Sequence, residues 1–130
     1  MADMLLDATV FRDCLGGEEA ALAILRRIMD ESIKASVSPV TVLELWQSPE
    51  MDRRAEIRYS GILSFLEEAP LTVDAAKTAG MWLASLDSED DRAELARCAL
   101  VAATAKERGE PVCTRSADSF TRFYSEVVDY

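Results

Sequence analysis

The feature of this sequence that most constrains its fold is a short apolar run, residues 4–6, that stops at the carboxylate Asp7 just before a helix-like segment. Such a run is typical of a buried strand, and the apolar stripe at helical spacing in residues 18–32 is typical of an amphipathic helix. A strand-like run followed by a helix-like segment recurs along the rest of the chain. Strands that alternate with helices predict right-handed crossovers and a parallel sheet covered by helices on both faces.

The breaks between apolar runs place the individual elements. Pro39 after Ser38 marks a helix start, Ser88 followed by three acids marks another, and Gly109 marks a helix end. Five strands are predicted, at 4–6, 34–37, 71–72, 111–114 and 126–128. The predicted helical segments are 9–15, 18–32, 51–68, 73–86 and 89–108, with shorter ones from Pro39 and at 116–124.

Length and hydropathy indicate one domain. The chain has 130 residues, of which 49% are hydrophobic, so residues 1–130 are expected to share a single core. The apolar stretches are too short to span a bilayer, and the first residues lack a basic segment followed by a cleavage-like site. We therefore expect a soluble, cytoplasmic protein with no membrane association.

Residue usage limits the chemistry. The chain contains no histidine, which excludes Ser-His-Asp and Cys-His machinery and most zinc sites. Its three cysteines form no CxxC pair, which indicates reduced thiols. A formal charge of -10 argues against a broad basic surface for nucleic acid. Any catalysis is therefore expected to depend on carboxylates.

Four carboxylates are predicted at one edge of the sheet. Asp7 ends the first strand, Glu44 lies at the start of the helix after the second, Glu94 lies early in the long helix before the fourth, and Asp118 follows that strand. Ligands of parallel sheets bind at the edge where the strands end. Oxygen-rich convergence of this kind suits Mg²⁺ or Mn²⁺, which can activate water against a phosphodiester.

Each of these acids also has a local interpretation. Asp7 is able to cap the following helix, and Thr41-x-x-Glu44 has the pattern of a capping box. Asp118 is able to act as a turn residue beside Ser116. Their joint placement at one edge favours a shared site over four separate local roles.

Three segments, in order, resemble a known family. They are LLDATVF at 5–11, an S-x-x-T-x-x-E-L pattern at 38–45, and CALVAATA at 98–105 followed by GEPVCTRSAD at 109–118. Together they resemble the PIN domain of the VapC-like toxin group, from Met4 to Tyr130. The resemblance implies a three-layer α/β fold with a parallel four- to five-stranded sheet. It also implies an endoribonuclease that cleaves RNA with Mg²⁺ or Mn²⁺, usually the toxin of a toxin–antitoxin pair, homodimeric and covered by its antitoxin.

The family's functional positions carry over in part. Asp7 and Glu44 match the first two family acids and are expected to bind the metal. The third acid falls on Cys98. The fourth falls on Ser116, with Asp118 two residues later as a stand-in metal ligand.

Cys98 is the main departure, because a thiol is a poor ligand for Mg²⁺. Glu94 lies on the same face of the predicted helix, but about 6 Å nearer its N-terminus at 1.5 Å per residue. An outer-sphere contact through water is its expected contribution to catalysis, rather than direct replacement.

Several polar neighbours are expected to support the acids or contact the substrate. Thr9 keeps a hydroxyl near Asp7, and Ser116 and Arg115 follow the fourth strand. Asp13 matches a further family acid and is interpreted as a charge on the helix surface.

Three hypotheses follow. The first is a metal-dependent ribonuclease working with Asp7, Glu44 and Asp118, helped by Glu94. The second is a PIN-like protein that has lost catalysis and binds or sequesters an antitoxin. The third is an unrelated doubly wound binding domain whose acids are helix caps.

Overall fold

In the computed structural model, which describes residues 2–130, all strands of the sheet run parallel. Five strands lie in the order β3-β2-β1-β4-β5, which confirms the α/β class and the upper predicted strand number. The central strand pairs Leu6 with Val37 on one side and with Cys113 on the other. The strands are β1 (Met4–Leu6), β2 (Ala35–Val37), β3 (Glu67–Glu68), β4 (Val112–Cys113) and β5 (Val127–Val128).

Helices connect the strands. Most start at a side-chain cap: Ser38 and Ser88 cap the third and sixth helices, as the sequence predicts. The sixth helix ends at Gly109, whose φ of 71° lies in the left-handed region that favours glycine. The helices are α1 (Ala8–Leu15), α2 (Glu19–Met29), α3 (Pro39–Trp46), α4 (Arg53–Leu63), α5 (Val73–Ala84), α6 (Glu89–Arg108) and α7 (Ala117–Thr121).

Two cores cover the two faces of the sheet. Leu6 faces a core built with Phe11 and Tyr59 of α1 and α4, whereas Leu5 faces a core built with Val101 and Phe120 of α6 and α7. Neighbouring residues of a strand point to opposite faces, so β1 is buried on both sides. This three-layer arrangement fixes the carboxyl end of β1 at the centre of one edge.

The prediction of the third strand is wrong. Residues 71–72 do not form a strand, because Thr72 caps α5 by accepting a hydrogen bond from the Ala75 N–H. The strand is instead Glu67–Glu68, within the segment predicted as helix 51–68, and α4 ends at Leu63. Both glutamates are exposed on an edge strand, where charged residues discourage further pairing and hide the apolar pattern.

In the part of the chain that the structure describes, no helix has the length and hydropathy needed to cross a bilayer.

Candidate acidic site at the carboxyl edge of the sheet

Asp7 lies at the centre of this edge, between the end of β1 and the start of α1. Its side chain is only 7% exposed. The Oδ2 atom accepts hydrogen bonds from the hydroxyl of Thr114 at 2.8 Å, the hydroxyl of Thr9 at 3.1 Å and the N–H of Thr9 at 3.5 Å. Asp7 therefore caps α1, and it is also a buried carboxylate whose contacts are hydroxyl and amide groups. Among the described residues, no Lys or Arg forms an ion pair with it.

Thr114, which the sequence patterns did not single out, joins two loops of the site. It is fully buried after β4, donates to Asp7, and accepts a hydrogen bond from the Ser116 N–H at 3.0 Å. The Arg115 N–H in turn donates to the Thr9 hydroxyl at 3.1 Å. Arg115 thus contacts Thr9, and Ser116 contacts Thr114, through their main-chain N–H groups. The signal for Thr114 was its place at the end of the fourth predicted strand, beside the strand that ends at Asp7.

Glu44 projects from α3 toward α1, where its carboxylate forms a 3.2 Å ion pair with Arg12. The capping-box interpretation is wrong, because the cap of α3 is Ser38, whose hydroxyl accepts from the Val40 N–H at 3.1 Å. Thr41 is therefore a buried residue of the first turn, and its hydroxyl has no hydrogen-bond partner. Glu44 consequently lies in the second turn of α3.

Cys98 of α6 stands near both matched acids. Burial and the negative charges of Asp7 and Glu44 together raise the pKa of its thiol to about 11, while Arg97 opposes them. Cys98 also packs against the core cluster that contains Leu5 of β1 and Val40 of α3, the elements that lead to Asp7 and Glu44. At neutral pH the third position of the family pattern therefore holds a neutral thiol.

Glu94 and Asp118 are both exposed, and both line a cavity of about 250 Å³ between α6 and α7. Across residues 2–130, no three His, Cys, Asp or Glu side chains are grouped so that they could hold a metal ion. The structure thus brings Glu94 and Asp118 to one cavity, which neither Asp7 nor Glu44 lines.

Asp13 is a buried member of the neighbourhood, so its interpretation as a surface charge is wrong. One oxygen pairs with Arg115 at 3.0 Å, and the other accepts a hydrogen bond from the Tyr130 hydroxyl at 2.7 Å. Burial, together with Asp13, raises the pKa of Tyr130 above its ordinary value. The sequence offered only a weak signal, since nothing near Asp13 indicates that the turn after β4 and Tyr130 reach it.

Comparisons with known proteins agree with this geometry. The fold matches a chain of a toxin-antitoxin complex from Klebsiella pneumoniae with a TM-score of 0.71 and 20% identity, over 96% of this chain and 95% of that one. It also matches a chain of VapBC2 from Rickettsia felis bound to a promoter DNA fragment, with a TM-score of 0.70 and 13% identity over 98% and 96%. A chain of DNA-bound VapBC from Salmonella typhimurium gives 0.67 and 22% over 100% and 98%.

Comparison with single protein sequences and comparison with family profiles give different results. No curated protein matches the chain significantly. The sequence profile of the PIN domain, in contrast, matches residues 4–125, which include strands β1 to β4 and all seven helices but not β5. The chain therefore belongs to the PIN domain family.

Proposed function

We propose that this protein is the toxin-type member of a toxin–antitoxin pair, related to the VapC ribonucleases, and that its nuclease centre is attenuated. PIN domains are generally nucleases that use divalent metals. The proposal of a toxin role is supported by the likeness in fold to chains of three toxin–antitoxin complexes over nearly their whole length.

The observation that carries attenuation is the thiol of Cys98 beside Asp7 and Glu44. A protonated thiol offers Mg²⁺ neither charge nor a hard oxygen ligand. Glu44 is already paired with Arg12, and the described residues contain no group of three metal-binding side chains. The residues present therefore do not fit the divalent-metal centre expected of the family.

The remaining groups are suited to binding. Three hydrogen bonds fix the position of the Asp7 side chain, and the backbone of Arg115 is held against Thr9. The Arg115 side chain pairs with Asp13 but is half-exposed, so the N–H groups of its guanidinium that face solvent can contact a phosphate of RNA at the edge of the site. We propose that RNA binds here and is cleaved slowly or not at all.

RNA cleavage with Mg²⁺ or Mn²⁺ tests this proposal directly. The unmodified chain is expected to cleave at background rate, and Cys98→Asp to gain about a hundredfold or more, since a catalytic metal contributes several kcal/mol. Adding Asp7→Asn to Cys98→Asp should remove the gain. Strong cleavage by the unmodified chain that Asp7→Asn abolishes would instead establish an active enzyme.

The second candidate function is a fully active Mg²⁺- or Mn²⁺-dependent endoribonuclease. Its metal ligands are Asp7, Glu44 and Asp118, and Glu94 assists them. It is favoured by the absence of any cation paired with Asp7 in the described chain. Mg²⁺ commonly binds through one or two carboxylates plus waters and substrate phosphates. Asp118→Asn distinguishes the candidates, because only the second predicts that this change lowers cleavage.

We also propose an antitoxin partner and a homodimer. An apolar cavity of about 270 Å³ lies between α1, α2 and α4, and the large side chains of Met29 and Phe65 at its rim are half-exposed. An amphipathic antitoxin segment fits such a surface. A small gene for a basic, DNA-binding protein is expected beside this one, and Phe65→Asp should abolish co-purification of its product. Light scattering of the purified chain tests the dimer.

A further inference from the structure

The carboxylates around Asp7 differ in what compensates their charge. Glu44 pairs with Arg12 at 3.2 Å, and Asp13 pairs with Arg115 at 3.0 Å. Asp7 has only hydroxyl and amide donors. One uncompensated negative charge is left among the three acids.

Arg12 is placed to control Glu44 in particular. It lies on α1, the helix that Asp7 caps, and it reaches across to α3, so the pair bridges the two helices that carry the matched acids. The Arg12 side chain is 47% exposed and the Glu44 side chain 21% exposed. The pair is therefore open to solvent on one side, and a cation that approaches Glu44 meets the positive charge of Arg12 beside it.

We infer that Arg12 is a built-in counter-ion that takes up the charge of Glu44 in place of a divalent cation, so that the missing metal site has two causes, Arg12 and Cys98. This inference rests on the proposal that the edge is an attenuated nuclease centre. A cation that binds Glu44 has to displace the guanidinium and to tolerate its positive charge nearby. Restoring the third carboxylate alone leaves that obstacle in place.

Binding of Mn²⁺ to the full chain, measured by the loss of the free-ion electron paramagnetic resonance signal, tests the inference without reference to cleavage. The unmodified chain is expected to bind no more tightly than about 1 mM. Cys98→Asp should bind weakly, and Cys98→Asp with Arg12→Ala should bind roughly tenfold more tightly than Cys98→Asp.

The matched control is Cys98→Asp with Arg26→Ala. Arg26 forms the same kind of ion pair, with Glu19 at 3.3 Å on the exposed face of α2, so its loss changes the net charge equally at a distance from the site. An equal gain from Arg12→Ala and Arg26→Ala would overturn the inference, because general charge would then be the cause. A Cys98→Asp variant that binds as tightly as the double variant would overturn it as well.

A variant that fails to fold does not block the test. If circular dichroism shows that Cys98→Asp is unfolded, Arg12→Ala and Arg26→Ala are compared with the natural Cys98, and only Arg12→Ala is expected to tighten Mn²⁺ binding. Tight Mn²⁺ binding by the unmodified chain would refute the inference. Failure of RNA cleavage by every variant, with the Arg12 effect intact, would count against the nuclease proposal alone.

Discussion

Two buried carboxylates, at opposite edges of the same sheet, are stabilised in different ways. Glu110, which precedes β4, is 1% exposed, and its Oε1 accepts from the Ser36 hydroxyl at 2.7 Å and from Arg108 Nε at 3.0 Å. Asp7, which follows β1, has hydroxyl and amide donors and, within residues 2–130, no paired cation. A carboxylate paired with a largely buried cation is fixed to the fold, whereas one held by hydroxyls keeps its charge for a ligand.

Glu110 belongs to a network of charged and polar side chains. Arg108 also pairs with Glu67 of β3 at 2.7 Å, so the network joins β2, β3 and the approach to β4. The second oxygen of Glu110 is buried without a hydrogen-bond partner. The stability of the Glu110 network therefore depends strongly on Arg108, whereas the position of the Asp7 carboxylate depends on Thr114.

The largest expected effect comes from Arg108→Met, which leaves Glu110 buried without its cation. The free energy of unfolding should fall by about 3 kcal/mol, as when one partner of a buried ion pair is removed. Urea denaturation at pH 7 measures this. Arg26→Met breaks the exposed pair with Glu19 and should change stability by less than about 0.5 kcal/mol. Equal effects of the two changes would show that Glu110 is no more tightly fixed than a surface charge.

Alkaline pH gives the next effect, through Cys113 of β4. Burial, together with the charges of Asp7 and Asp129, raises the pKa of this thiol to about 12. The folded chain thus holds the proton more tightly than the unfolded chain. Its stabilising effect is complete below about pH 9 and is lost as the pH rises toward 12.

Between pH 8 and pH 11 the free energy of unfolding should therefore fall by about 2.5 kcal/mol through this group. Cys113→Ala removes the thiol and should make the fall between pH 8 and pH 11 smaller by about 2.5 kcal/mol, whatever its stability at pH 8. Cys14 and Cys98, whose pKa values burial raises to about 11, contribute about 2 kcal/mol each by the same linkage, so a reduced slope remains. An unchanged slope in Cys113→Ala would contradict the prediction.

Thr114→Val tests how Asp7 is held. It removes the 2.8 Å donor to a buried carboxylate and the acceptor for the Ser116 N–H, so a loss of about 2 kcal/mol is expected. Thr114→Ser keeps the hydroxyl and should lose only about 1 kcal/mol for one buried methyl group. Chemical denaturation of both variants separates the hydrogen bond from the packing. A smaller loss in Val than in Ser would mean that the hydroxyl does not support Asp7.

The smallest effect is expected for Arg12→Ala. Its pair with Glu44 is partly exposed to water, so the free energy of unfolding should change by about 0.5 kcal/mol or less. Thermal unfolding at low and high salt measures it, and the small change should disappear in high salt. A loss comparable to that of Arg108→Met would mean that Arg12 has mainly a structural role.

The sequence predicted the elements whose signals are local. The strands at β1, β2 and β4 and the capped helices at Ser38 and Ser88 follow from apolar runs and cap residues a few positions apart. β3 was missed because its two glutamates are exposed, and its pairing with β2 depends on residues 31 positions away rather than on its own pattern.

For the candidate site, the sequence likewise predicted some features and missed others. The positions of Asp7 and Glu44 follow from strand order, which a sequence pattern can supply. The partners that decide their chemistry, Thr114 for Asp7 and Arg12 for Glu44, depend on side-chain directions across separate elements. The meeting of Glu94 and Asp118 at one cavity likewise depends on where α6 and α7 pack, which helical spacing alone does not fix.

The hydrogen bond between Thr114 and Asp7 also has a consequence for biosynthesis. It joins residues separated by 107 positions, and the neighbouring pairing of Leu5 with Val112 spans a similar distance. Synthesis at 5–20 residues per second puts roughly 5 to 20 s between the two halves of the contact. While it is on the ribosome, the nascent chain thus carries Asp7 without the residue that orients it, and any activity that needs Asp7 in this orientation would begin only once the β4 segment has emerged.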